Sequence, residues 1–213
     1  MLIALVLTGL FGHSMYVMNI KHDRDKALEA GFRLFLANSY NGVGVDEICK
    51  KTGMTKGAFY NAFKSKENFL LQALKTYSDA GVAHLCSELS PNKQDQAIIR
   101  LDKFYVKMLE DQEKSNYTGC MINNMMLEMG VTNKSIGRAT ATEFERLISV
   151  IEPVVKQAQL DGDFDPVLDS RLIAQLLHST YFGVLTRTKG THNYKESVVT
   201  MRLLLRTLKV SKG

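Results

Sequence analysis

The chain has 213 residues, 45% hydrophobic and 23% charged, enough apolar material for one sizeable core or two smaller ones, which excludes an intrinsically disordered chain. A formal charge of +5 and an isoelectric point near 9.0 permit an anionic partner without identifying one. Cys49, Cys86 and Cys120 are an odd number at spacings that fit neither a disulfide framework nor a zinc site, so a reducing cytoplasm is the natural setting and no metal or cofactor is expected.

The first twenty residues, MLIALVLTGLFGHSMYVMNI, contain no Lys, Arg, Asp or Glu. At about 20 residues such a run has the length of a membrane span. It lacks the basic start and the clear small-residue cleavage site of a signal peptide. Gly9, Gly12, His13, Ser14 and Asn19 dilute it, and Met15 and Met18 offer start sites just ahead of a charged amphipathic helix. Residues 1–17 read first as a mis-assigned start or dispensable extension, second as an extra packing helix, third as a membrane anchor.

Prolines occur only at 91, 153 and 166, and no long alternating run is present, so an all-α chain is expected. The first helix spans about 21–38, with Ala27, Leu28, Phe32, Phe35 and Leu36 at helical spacing. A short helix at 46–52 follows, closed by Gly53 in a left-handed position. Thr55 caps another short helix that reaches Phe63, and Ser65 caps a long one over 66–89. Further helices are expected at about 93–113, 119–129, 133–160, 167–188 and 194–209, with Pro153 kinking or breaking the third of these near Ile151. The domain boundary falls along the 66–89 helix.

Two short helices joined by a glycine-containing turn are the sequence form of a helix-turn-helix, whose second helix enters the major groove by its N-terminal residues. Here those residues are Thr55, Lys56, Gly57 and Ala58. Glycine inside a first turn costs about 1 kcal/mol relative to alanine. Free backbone N–H groups attract phosphate there, and the missing side chain admits the sugar-phosphate backbone, which offsets that cost. Lys56 and Lys66 supply charge, Tyr60 a phenolic donor, and Asn61 a group for phosphate or a base edge. Phe59 and Phe63 face inward, onto Ile48 and Phe32 or Phe35. From Met18 to Asn68 nine Lys/Arg face six Asp/Glu, a net +3, against +2 for all of 69–213. The competing reading is a capped helical hairpin with its lysines on a solvated face.

The segment VDEICKKTGMTKGAFYNAFKSKENFLLQAL, 45–74, resembles the DNA-binding signature of the TetR family of bacterial regulators, and the resemblance extends back through DRDKALEAGFRLFLANSYNGVGVDEI. It implies a helix-turn-helix domain over 18–66 and a helical ligand-binding and dimerisation domain over 67–213. It implies a DNA-binding regulator, a repressor as most often in that family, acting as a homodimer on a double-stranded DNA operator and released by a small-molecule or electrophile effector. Ala58, Ala62 and Val45 depart from the usual pattern, leaving fewer direct contacts and more dependence on Lys56, Tyr60 and Lys66.

In the C-terminal part, Leu168, Leu172, Leu176, Ile173, Leu177, Tyr181 and Val184 give one helix a broad apolar face, and Val198, Met201, Leu205 and Leu208 another. Paired across two chains these make a four-helix bundle; a monomer's own core gives the same pattern. The segment YTGCMINNMMLEMG, 117–130, carries a pliable methionine lining with Asn123, Asn124 and Glu128 as polar points. Its GC followed by a helix resembles the branch of the family that senses electrophiles or oxidants with a cysteine, and Cys120 maps onto it. A thiol at a helix N-terminus has its thiolate stabilised by the free N–H groups; an inert buried thiol is the alternative. The effector-facing set is Cys120, Met121, Asn124, Met125, Phe104, Tyr117 and His178. No catalytic residue is assigned. The rival functions are a cysteine-dependent enzyme using Cys120 and a membrane-tethered regulator.

Overall fold

The computed structural model describes residues 20–91 and 95–210, with side chains from Arg24 onward. The extension expected at 1–17 and the helix start expected at 93 lie outside the described residues. The helices are α1 (Ile20–Asn38), α2 (Val45–Thr52), α3 (Lys56–Phe63), α4 (Lys66–Glu88), α5 (Ala97–Lys114), α6 (Met121–Met129), α7 (Lys134–Leu160), α8 (Ser170–Thr191) and α9 (Lys195–Thr207). Among the described residues the only β pairing is an isolated bridge between Phe164 and Lys209, so the fold is all-α as expected. Two compact units divide the chain: α1–α3, α4 through Ala80, α6 and α7 through Phe144 form the first, and the remainder forms the second. No helix among the described residues is long and apolar enough to cross a membrane.

In the first unit the short helices are held by their ends. Asp46 and Glu47 open α2 and Lys50 and Lys51 close it, each pair complementing the helix dipole. Gly53 follows with φ 74°, a conformation that costs other residues about 1–2 kcal/mol. The Thr55 hydroxyl accepts from the Ala58 N–H at 3.2 Å, and the Ser65 hydroxyl accepts from the Asn68 N–H at 3.0 Å, starting α3 and α4 as expected. Phe59 and Phe63 are fully buried. Their ring partner is Phe69 of α4, at 5.3 and 4.7 Å between centroids, and Phe35 lies 6.1 Å from the same ring. Each such ring contributes about 1.5–3 kcal/mol by leaving water. Gly31 of α1 admits Phe69, since a Cβ there would lie 2.3 Å from that ring.

The second unit is built on Leu101, Tyr105 and Leu109 of α5, Ile148, Ile151 and Val155 of α7, Ala174, Leu177 and Tyr181 of α8, and Met201 and Leu205 of α9, all buried. The expected break at Pro153 does not occur: α7 runs through it to Leu160. Pro153 and Ser149, whose carbonyl loses its partner, both lie on the exposed side, where water can replace the missing N–H. The α8 helix also continues past the expected end, through Gly190 to Thr191, and stops at His192 in the left-handed region with φ 52°. Its start is later than expected because Asp169 accepts from the Leu172 N–H at 2.7 Å and caps it there.

Candidate nucleic-acid interface and sensor residues

The amphipathic split of α3 is complete. Phe59 and Phe63 are buried, while Thr55, Lys56, Gly57, Ala58, Tyr60, Asn61, Ala62 and Lys64 are exposed. A Cβ on Gly57 would find only the Thr55 hydroxyl oxygen, at 3.9 Å, so nothing inside the protein requires glycine at that position. The Lys56 ammonium pairs with the Asp46 carboxylate of α2 at 2.6 Å, and its pKa is raised by that hydrogen bond. Tyr60 is 48% exposed and meets Phe59 edge-on. Lys64, outside the expected set, closes α3 with φ 67° and donates its backbone N–H to the Tyr60 carbonyl.

Lys66 stands apart from this face. Its Nζ donates to the Tyr40 and Val43 carbonyls, both at 3.0 Å, and lies 4.0 Å from the centroid of the Tyr40 ring. The same turn is gripped by Glu128 of α6, whose carboxylate accepts from the Tyr40 N–H at 2.8 Å, the Asn41 N–H at 3.0 Å and the Asn41 side-chain amide at 3.0 Å. Asn133 donates to Glu67 at 2.8 Å and accepts from the Ile136 N–H at 3.0 Å, tying the start of α4 to the start of α7. These ties cross 66 to 88 residues of sequence, which is why spacing alone did not expose them.

Of the sensor set, Cys120, Met121 and Met125 are buried in the first unit, with Asn124 half-buried beside them. Cys120 is the N-cap residue of α6. Burial pushes its pKa up, and hydrogen bonding from the Asn123 and Ile122 backbone and the Tyr77 side chain only partly offsets this. The expected dipole effect is present but loses to desolvation, so the resting group is a protonated thiol. Cys49 is also buried and Cys86 exposed. The other three lie in the second unit. Phe104 packs on Tyr105 at 5.1 Å, and His178 joins Tyr105, Tyr181 and Phe182 at 6.2, 5.4 and 4.9 Å. Tyr117 stacks instead on His192, at 5.0 Å. Among the described residues no three His, Cys, Asp or Glu side chains group to hold a metal.

Burial alone holds the His178 pKa down to about 3, against an ordinary 6.5. Between those values the unfolded chain carries the proton and the folded chain does not, so stability is complete above pH 6.5 and declines on acidification. The slope is about 1.4 kcal/mol per pH unit, which gives about 2 kcal/mol lost by pH 5. Urea melts at pH 7, 6 and 5 are expected to show this decline, and His178→Phe to flatten it.

A capped two-helix unit with a polar, glycine-bearing outer face belongs to the helix-turn-helix class of DNA-binding regulators. The profile for bacterial regulatory proteins of the tetR family matches residues 27–73, and that for the tetracyclin repressor-like C-terminal domain matches 97–204. The chain belongs to the TetR family of transcriptional regulators. It is 25% identical over 173 residues to the transcriptional repressor DhaR of Mycobacterium sp. strain GP1, covering 80% of this chain and 84% of that protein. It is 26% identical to the regulator AcuR of Cereibacter sphaeroides, covering 76% and 74%, and 22% identical to the repressor NemR of Escherichia coli K12, covering 82% and 88%. A TetR regulatory protein from Rhodobacter sphaeroides shares the fold with a TM-score of 0.79 at 22% identity, over 90% of this chain and all of that one. Reduced E. coli NemR shares it at 0.79 and 18% identity, over 90% and 99%.

Proposed function

We propose that this regulator is a cytoplasmic, non-enzymatic homodimer that represses transcription by laying α3 into the major groove of its operator, and that a small-molecule effector releases it. The carrying observation is the exposed face of α3, in which Gly57 is open to solvent on a helix that would be more stable with another residue. Thr55, Lys56, Gly57 and Ala58 approach the DNA first; Tyr60 and Asn61 follow along the helix. Lys66 is assigned a positioning role, because its ammonium already holds the turn that orients α2.

The second unit leaves apolar side chains uncovered that a second chain would bury. Leu172 and Leu176 on α8 and Leu168 just before its cap are exposed, while Ile173, Leu177 and Tyr181 of the same apolar run are buried. On α9 the exposed pair is Val199 and Leu203, whereas Met201 and Leu205 belong to the core. Gly183 and Gly190, with open space where a Cβ would stand, extend the α8 stripe and allow another backbone to come near. A self-complementary bundle of α8 and α9 from two chains covers these groups. It also provides the two reading heads that half-sites about 34–36 Å apart demand.

The effector reading rests on Phe104 and His178 in the second unit and on Cys120, Met121, Asn124 and Met125 along α6; Tyr117 is placed at the α8 end instead. With Cys120 buried and protonated at rest, reversible binding is favoured over thiol chemistry as the releasing event, and a cysteine nucleophile for catalysis is disfavoured. The test is selection from a random duplex library followed by titration with the selected duplex. Lys56→Ala is expected to weaken binding to every duplex and reduce the magnitude of the log–log salt slope by about 0.9. An unchanged slope would remove Lys56 from the interface, and the absence of any selected duplex would remove the whole reading.

A further inference from the structure

We propose that the effector is an uncharged molecule with a flat apolar body and a carbonyl oxygen, such as a ketone, aldehyde or ester, and that the Tyr105 hydroxyl donates to that oxygen within the rings of His178 and Tyr181. The proposal rests on the effector-controlled reading above and specifies its ligand.

The cluster joins α5 to α8 inside one unit. Tyr105, His178 and Tyr181 lie 5.4 to 6.2 Å apart between ring centroids, with Phe104 against Tyr105 and Phe182 against His178. Tyr105 is fully buried, yet its hydroxyl has no hydrogen-bond partner. Phenylalanine would fill the same space without stripping a hydroxyl of water, so the oxygen calls for a guest that accepts from it.

The charge of that guest follows from the surroundings. Several charged groups of α5 and α8 are engaged by neighbours: Asp111 by Lys107 and Lys114 within α5, Asp102 by Arg202 of α9, Arg171 by Glu145 and Glu152 of α7, and Arg187 by Glu196 of α9, while Arg100, buried on α5, donates to the Asp95 carbonyl. Burial raises the Tyr105 pKa and lowers that of His178, disfavouring the charged form of each. The same burial that disfavours an imidazolium at His178 disfavours a charged guest of either sign, because an ion leaving water there loses its hydration. A neutral acceptor satisfies the phenol without importing charge.

The experiment uses the full chain and four ligands of one size: acetophenone, ethylbenzene, benzoate and benzylamine, measured by equilibrium dialysis at pH 7.5. Acetophenone is expected to bind at least about tenfold tighter than the other three, and Tyr105→Phe to weaken acetophenone about tenfold while leaving ethylbenzene within about twofold. The unliganded Tyr105→Phe protein is expected to melt no lower than the parent. Benzoate or benzylamine binding as tightly as acetophenone, no saturable acetophenone binding, or an unchanged affinity in Tyr105→Phe each overturns the inference. A lower melting temperature or failure to fold also overturns it, because the hydroxyl would then have a structural partner. Binding of the selected duplex, measured on the same preparations, separates the two ideas: its absence sinks the regulator reading, and its presence with the wrong ligand order sinks only this one.

Discussion

Gly57→Glu is expected to lower operator affinity at least about a hundredfold, since a like charge facing phosphate costs several kcal/mol. The same change should make the fold more stable by about 1 kcal/mol, from better helix propensity and a carboxylate in the first turn of the helix. The opposite signs follow from one observation: the space a side chain would take at Gly57 is empty within the protein. A glycine kept for internal packing would behave otherwise, as Gly31 should, where any side chain collides with Phe69. Gly57→Ala provides a graded comparison, stabilising by roughly the same propensity difference and weakening DNA binding less, because one methyl group displaces less backbone than a charged side chain. Urea unfolding of the free protein and fluorescence anisotropy with the selected duplex measure the two effects. Retained affinity in Gly57→Glu would move the interface away from the start of α3.

What was legible in the sequence was local. Thr55 and Ser65 announce helix starts because a cap and its target lie within three residues, and Phe59 and Phe63 share a face because they lie one turn apart. Contacts between distant segments were not legible. Lys66 reads as a phosphate ligand beside Ser65 and Glu67, yet it is engaged by carbonyls 23 and 26 residues earlier. For Cys120 the sequence leaves an activated thiol and an inert buried one both open, because burial is a tertiary quantity; in the fold burial outweighs the dipole. The stripe on α9 illustrates the same limit: periodicity identifies apolar positions, while the fold decides that Met201 and Leu205 go inward and Val199 and Leu203 stay exposed. Pro153 does not break α7, because the cost of a helix-interior proline falls when its orphaned carbonyl faces water.

Glu128→Ala tests how α6 bears on the helix-turn-helix. Three donors from the Tyr40–Asn41 turn converge on this carboxylate, and hydrogen bonds to a charged group contribute about 1.5–3 kcal/mol each. Partial exposure reduces that total, so a loss of about 3 kcal/mol is expected for alanine and less for Glu128→Gln, which keeps one acceptor oxygen. Exchange of the Tyr40 and Asn41 amide protons should accelerate beyond what the global loss explains. Operator affinity should fall as well, although Glu128 contacts no DNA in this scheme: the turn it holds also receives Lys66 and leads directly into α2, so releasing it lets the helix-turn-helix wander. The salt slope separates this from the loss of a phosphate contact, because it should stay at the parent value while affinity drops. The α6 helix is nine residues, about 13 Å long, with Cys120 capping one end and Glu128 in its last turn at the other. On the proposal that effector displaces the capped end and that α6 moves as a rod, a Glu128→Ala protein should bind effector yet change its DNA affinity less in response. An unaltered effector response in that variant would show that the signal reaches the reading helix by another path.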